Sequence, residues 1–171
     1  MMEKIKAHFM KVGPRRFVVG AVFVLIILDI INTYYLKLYW LKKDLSTMLV
    51  HQSIRQSNLL LEDFSQETIN GMAGFINNTF YFFLFLVLVN NLFFYFFYLR
   101  AKLWAQGYVL FYTLTAAIFG LSFVVDQAGL GAGWMVYNIL TIFVYIYLYF
   151  GVKVLKYETT DAIPADGTSA Q

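Results

Sequence analysis

Asp29 is the residue whose side chain could take part in chemistry, because it is an acid within a long run of apolar residues. An ionised carboxylate near the centre of a membrane span costs at least about 2.5 kcal/mol to place, so we expect the side chain to face protein or water. A carboxyl group in that setting can carry a proton or bind a cation. The alternative is a structural role, in which Asp29 only forms hydrogen bonds to a neighbouring helix.

Four further polar residues fall at similar depths in the predicted spans: Asn32, Ser122, Asn138 and Thr141. Asp29 and Asn32 occupy positions i and i+3, so they lie on one face of a helix. The same spacing relates Asn138 to Thr141. The five residues could form a polar path or binding layer in the outer half of the membrane, or a hydrogen-bonded clasp that fixes the register of the helices. We favour the clasp, because helical membrane proteins use such polar pairs to hold helices together.

Asn90 and Asn91 lie near the middle of the second apolar stretch. Neighbouring residues point about 100° apart around a helix, so we expect at least one of the two amides to have a partner within the protein. Thr113 or Thr115 on the following span is a candidate partner. The other amide could contact a second copy of the chain, which would favour self-association.

Ala116 and Gly120 form a pair of small residues four positions apart on the third span. Such a pair allows another helix to approach closely. We expect this contact to be made within the chain.

The sequence predicts no catalytic, cofactor-binding or metal-binding residue, and we do not expect an enzyme. It contains no cysteine, and its two histidines, His8 and His51, fall on opposite predicted sides of the membrane. No His pair or serine–histidine dyad can be built from them. The basic residues mostly flank apolar stretches, which indicates membrane topology and argues against binding of nucleic acid.

Composition determines which elements must position these residues. The chain of 171 residues is 60% hydrophobic and 13% charged, whereas a soluble domain has about twice that share of charged residues. Four apolar stretches predict membrane-spanning helices at about 17–36, 75–98, 107–125 and 134–154. We therefore predict an all-α integral membrane four-helix bundle, with residues 1–157 as a single domain and 158–171 as a disordered tail.

Two flanking segments are also predicted to be helical. Residues 1–12 place apolar side chains at helical spacing among lysines, which is typical of an amphipathic helix in the membrane interface. The loop at 42–71 contains no proline and no glycine before Gly71, which favours helix over coil. Either the first span continues outward as a long helix that turns near Ser57 and Asn58, or a separate amphipathic helix lies on the outer surface.

The distribution of positive charge predicts the topology, because cytoplasmic loops carry the excess of lysine and arginine. Of the thirteen basic residues, nine fall on one predicted side of the membrane and four on the other. The four are Lys37, Lys42, Lys43 and Arg55. We therefore predict that both termini are cytoplasmic and that the loop at 42–71 is outside.

Function is predicted only at the level of class. Our first hypothesis is a structural or accessory subunit of a membrane assembly, whose partners are lipid and other membrane subunits or further copies of the chain. The first alternative is a small homo-oligomeric channel or transporter with a polar path around Asp29. The second is a membrane sensor that uses the outer loop.

Overall fold

The computed structural model describes the backbone of residues 2–126 and 132–161 and the side chains of residues 3–122 and 132–155. This part of the chain is all-α and contains no strand, as predicted. Its six helices are α1 Met2–Val12, α2 Pro14–Lys42, α3 Leu45–Gln56, α4 Gln66–Leu99, α5 Leu103–Asp126 and α6 Ala132–Asp161, with a short 3-10 helix at Leu61–Asp63.

Four of these helices, α2, α4, α5 and α6, are long and apolar enough to cross a membrane, which supports a membrane protein. The shortest apolar segment, Leu103–Ser122, has 20 residues, or about 30 Å at the rise of an α-helix, which matches the hydrocarbon thickness of a bilayer. All four predicted spans lie inside these helices. The helices extend beyond the spans because hydropathy marks only the apolar part of a helix, whereas a formed helix propagates readily into polar sequence.

The segment predicted as an outer loop contains a separate helix. Helix α2 ends at Lys42, and Asp44 adopts a left-handed conformation with φ of 45° before α3 begins. A second left-handed residue, Asn58 with φ of 56°, follows the end of α3. Aspartate and asparagine tolerate this conformation better than most residues, so both breaks have a local cause in the sequence.

The predicted disordered tail at 158–171 begins inside α6, which continues to Asp161. No glycine or proline interrupts the sequence between Gly151 and Pro164, so nothing local ends the helix at residue 158. Residues 162–171 of the predicted tail lie outside the described residues, as do residues 127–131.

The chain divides into two compact units, residues 27–91 and residues 1–26 with 92–171. In the first unit, α3 is amphipathic: Ser46, Val50 and Ile54 follow one another at four-residue spacing and are all buried. Val50 and Ile54 form a cluster with Ile69 and Ala73 near the start of α4. The buried face of α3 therefore packs against the beginning of α4.

In the second unit, α1 packs against α6 through aromatic rings. The ring of Phe9 meets that of Phe17 edge-to-face, with centroids 5.3 Å apart. Both rings are buried, and both lie against Gly151, where an added Cβ would fall 2.8 Å from Phe9 Cε1. His8 Nε2 also lies 3.1 Å from the hydroxyl oxygen of Tyr147. The missing side chain at Gly151 is therefore what lets α1 and the start of α2 approach α6.

Candidate functional site

Asp29 forms a buried hydrogen-bonded pair with Asn91. Asn91 Nδ2 donates to Asp29 Oδ2 over 3.0 Å, within the unit of residues 27–91. Asp29 is 4% exposed and Asn91 is 3% exposed. The acid on α2 thus has a polar partner on α4, as a carboxyl group among apolar helices requires.

Sequence reasoning had not considered this partner for Asn91. Thr113 and Thr115 are the partners that the sequence suggests for one of the two asparagines, and their hydroxyls donate to carbonyl oxygens of their own helix. Thr113 Oγ1 lies 2.9 Å from Val109 O, and Thr115 Oγ1 donates to Phe111 O. Both residues lie in the interior of apolar spans, which indicates that each needs a polar partner but does not identify that partner.

The other four residues of the predicted polar layer differ in burial. Asn32, one turn after Asp29, is half-buried, and Ser122 on α5 is exposed. On α6 both Asn138 and Thr141 are buried. Asn138 Nδ2 donates to Trp134 O over 2.9 Å, and Thr141 Oγ1 donates to Tyr137 O over 2.8 Å. That all five residues share one depth in the membrane remains a prediction.

Gly120 lies where α5 and α6 pack against each other. A Cβ added at this position would fall 2.8 Å from Ile142 Cγ1. Ala117 beside it is buried and Ala116 is half-buried. The missing side chain at Gly120 therefore allows a close contact between α5 and α6, and a contact at Ala116 stays a prediction.

A second polar contact in the unit of residues 27–91 joins α2 and α4 near Trp40. Trp40 Nε1 donates to Asn77 Oδ1 over 2.7 Å, and its ring stacks on that of Phe80 with centroids 3.9 Å apart. Lys37 Nζ lies 5.1 Å from the centroid of the Tyr81 ring. Trp40 and Lys37 directly follow the predicted span at 17–36, and the sequence gives no partner for either.

Asn90 follows a different pattern from its neighbour Asn91. Asn90 is exposed, whereas Asn91 is buried. This difference agrees with the expectation that adjacent residues on a helix point in different directions. The two asparagines therefore have different surroundings within the same turn of α4.

Among the described residues, no three histidine, aspartate or glutamate side chains come together as a metal site would require. The chain has no significant match among protein-family models, curated proteins or solved structures.

Proposed function

We propose that this chain is a structural or accessory subunit of a membrane assembly, bound to a partner protein through the exposed face of α4. The observation that carries the proposal is the low burial of this helix. Only 17% of the apolar segment of α4 is buried within the chain, against 28% to 33% for the other three candidate spans. Helix α4 is therefore the least buried of the four candidate spans, and its apolar side chains are available for contacts outside the chain.

The exposed face of α4 includes a regular stripe. Its residues are exposed and follow one another at alternating spacings of four and three, which is the spacing of helix–helix seams. Its members are Phe75, Thr79, Phe82, Leu86 and Val89. The apolar members are 45% to 74% exposed. Between its first and last residues the stripe is about 21 Å long at the rise of an α-helix, or roughly two thirds of the hydrocarbon thickness.

A partner helix offers this stripe interactions that lipid lacks. Helices associate in a bilayer through close packing and interhelical hydrogen bonds, since burial in lipid already satisfies apolar side chains. Phenylalanine rings gain about 0.5–1.5 kcal/mol per aromatic pair beyond their burial. Asn90 is exposed one turn beyond Leu86, so an amide lies within reach of the same partner.

The alternative of a channel or transporter around Asp29 has weaker support. A conducting or proton-carrying acid must exchange with water or substrate, whereas Asp29 is buried and hydrogen-bonded to Asn91. The pair supports a role in holding α2 and α4 together. If Asp29→Asn abolished ion or proton flux in liposomes while the variant stayed folded, the clasp interpretation would be wrong.

The experiment that tests the accessory role is native mass spectrometry of the protein extracted gently from its own membrane. We expect a stoichiometric complex with at least one foreign membrane subunit. The double variant Phe75→Ala/Phe82→Ala should weaken that complex roughly thirty-fold, at about 1 kcal/mol for each lost ring contact. The matched control is Phe111→Ala/Phe143→Ala, which removes two equally exposed rings from α5 and α6.

Two outcomes would contradict the proposal. A homo-oligomer without any foreign subunit would exclude the accessory role. Equal loss of the partner in the test and control variants would exclude α4 as the binding face.

The proposal includes an orientation in which both termini are cytoplasmic and α3 is outside, supported by the nine basic residues on the predicted inner side. Because the chain has no cysteine, the labelling of a single introduced cysteine shows on which side of the membrane that residue lies. We expect Ser53→Cys to react with an impermeant maleimide in intact cells, and Lys4→Cys to react only after lysis. The reverse pattern would overturn the orientation.

A further inference from the structure

A cavity of about 600 Å³ lies in the unit formed by residues 1–26 and 92–171. It is bordered by the first turn of α2, the end of α4, the turn into α5 and the last third of α6. Its lining includes Arg15, Val18, Leu99, Arg100, Gln106 and Val152. None of the polar residues predicted from the sequence belongs to it.

The cavity carries positive charge. Arg15 and Arg100 both line it, and none of its described lining residues has a carboxylate. The guanidinium carbon of Arg100 lies 4.3 Å from the centroid of the Phe96 ring, a contact that orients the side chain. Helix α2 begins at Pro14 beside Arg15, and the positive end of its dipole adds to the preference for an anion. Guanidinium groups suit phosphate because they donate two parallel hydrogen bonds to it.

Gln106 supplies the second, independent observation. Its side chain is 7% exposed and lines the cavity. Its Oε1 atom is buried and accepts no hydrogen bond from the described residues. A buried carbonyl oxygen without a donor is unfavourable. Because this atom has almost no accessible surface, a ligand hydroxyl group would satisfy it once the Gln106 side chain turns toward the cavity.

The residues around the cavity indicate that such a ligand would come from the membrane. Arg15 and Arg100 flank the predicted spans at 17–36 and 75–98, so the cavity lies at the depth of lipid headgroups. Val19 and Leu99 line it as well and are exposed, so acyl chains could pass along them. A soluble phosphate ester would make no use of these apolar residues.

We propose that this cavity binds one anionic phospholipid whose headgroup carries a hydroxyl group. The phosphate lies between Arg15 and Arg100, and the hydroxyl donates to Gln106 Oε1. The site does not depend on the partner proposed for α4.

The first test is native mass spectrometry of the full chain in nanodiscs with equal amounts of phosphatidylglycerol and phosphatidylcholine. We expect the wild type to retain one phosphatidylglycerol molecule per chain. The double variant Arg15→Gln/Arg100→Gln should reduce this retention roughly ten-fold or more, since two charged contacts are lost. The matched control Arg16→Gln/Lys102→Gln removes the same charge from neighbouring residues that do not line the cavity, and it should stay within about two-fold of wild type.

Equal loss in both double variants would overturn the proposal, because general attraction of the basic surface would then explain binding. No loss in either variant would overturn it too. Helicity by circular dichroism checks folding, and Arg100→Lys provides a milder variant that keeps the charge and loses the forked donor. We expect Arg100→Lys to retain less phosphatidylglycerol than wild type, and unchanged retention would contradict the forked contact.

The second test addresses Gln106 and the source of the phosphate. Phosphatidylethanol has the charge of phosphatidylglycerol but lacks the headgroup hydroxyls, so wild type should prefer phosphatidylglycerol about five-fold and Gln106→Leu should lose that preference. No preference in the wild type would overturn the role of Gln106. If delipidated protein in detergent bound glycerol 3-phosphate as tightly as the lipid, the ligand would be a soluble phosphate ester and the lipid proposal would be wrong.

Discussion

Replacing Asn91 with leucine removes the amide that donates to Asp29 Oδ2 at 3.0 Å. Leucine is similar in size, so the change removes the hydrogen bond with little change in packing. Asp29 is 4% exposed, and water cannot readily replace the lost donor. Loss of a donor to a buried acceptor costs about 1–3 kcal/mol. Because polar pairs in membrane proteins fall at the low end of that range, we expect the free energy of unfolding to fall by about 1–2 kcal/mol.

A double-mutant cycle isolates the pair. Asp29→Leu alone should also destabilise the chain, whereas Asp29→Leu combined with Asn91→Leu removes both polar groups together and should cost less than the sum of the single changes. We expect a coupling energy of about 1 kcal/mol. Asp29→Asn keeps a hydrogen-bonding group at the position and should change stability by less than about 1 kcal/mol.

The assay is reversible unfolding in mixed micelles with increasing dodecyl sulfate, followed by far-ultraviolet circular dichroism. Thr79→Val is the matched control, because the exposed Thr79 hydroxyl donates only to Phe75 O in its own helix. It should shift stability by no more than about 0.5 kcal/mol. Single changes at Asp29 and Asn91 that add within about 0.3 kcal/mol would show that the pair is not coupled, and the clasp interpretation would fail.

Three further predictions concern other contacts. Gly151→Ala places a methyl group against the ring of Phe17 and should lower the free energy of unfolding by about 1–3 kcal/mol; a neutral result in the same titration would contradict the close packing of α2 on α6. Trp40→Phe keeps an aromatic ring but loses the N–H group that donates to Asn77, so it should cost about 0.5–1.5 kcal/mol. It should cost less in an Asn77→Leu background, where only the smaller ring contact with Phe80 is lost. Ala101 adopts a left-handed conformation with φ of 54° between α4 and α5, so Ala101→Gly should relieve backbone strain and raise stability by about 1 kcal/mol. A loss of stability would show that the turn is not strained.

The existence of the long helices could be predicted because hydropathy and length determine it. In a chain with this little charge, four apolar runs of about twenty residues each have few possible structures other than membrane-spanning helices. Helix ends were harder to predict. The breaks at Asp44 and Asn58 depend on single residues in a left-handed conformation, and aspartate and asparagine occur in helices too often for either residue to mark an end reliably.

The pairing of Asp29 with Asn91 could not be deduced for a different reason. The sequence gives the angle between residues around one helix, but it does not give the rotation of that helix relative to its neighbour. Depth counting also assumes that all spans start at the same level. Counted from the predicted span ends, Asp29 lies twelve residues from Phe17 and Asn91 lies seven from Tyr98, so this method separated two residues that are in hydrogen-bonding contact.

The contact at Gly151 has a consequence for biosynthesis. Phe17 is made 134 residues before Gly151, which corresponds to roughly 7–27 s at about 5–20 residues per second. Throughout this interval the rings of Phe9 and Phe17 have no α6 to pack against, so lipid or an insertion factor must cover them. The partners within residues 27–91, by contrast, are all present once Asn91 has emerged. We therefore expect a ribosome-bound chain that is stalled before α6 to contain the Asp29–Asn91 pair while α1 is still undocked.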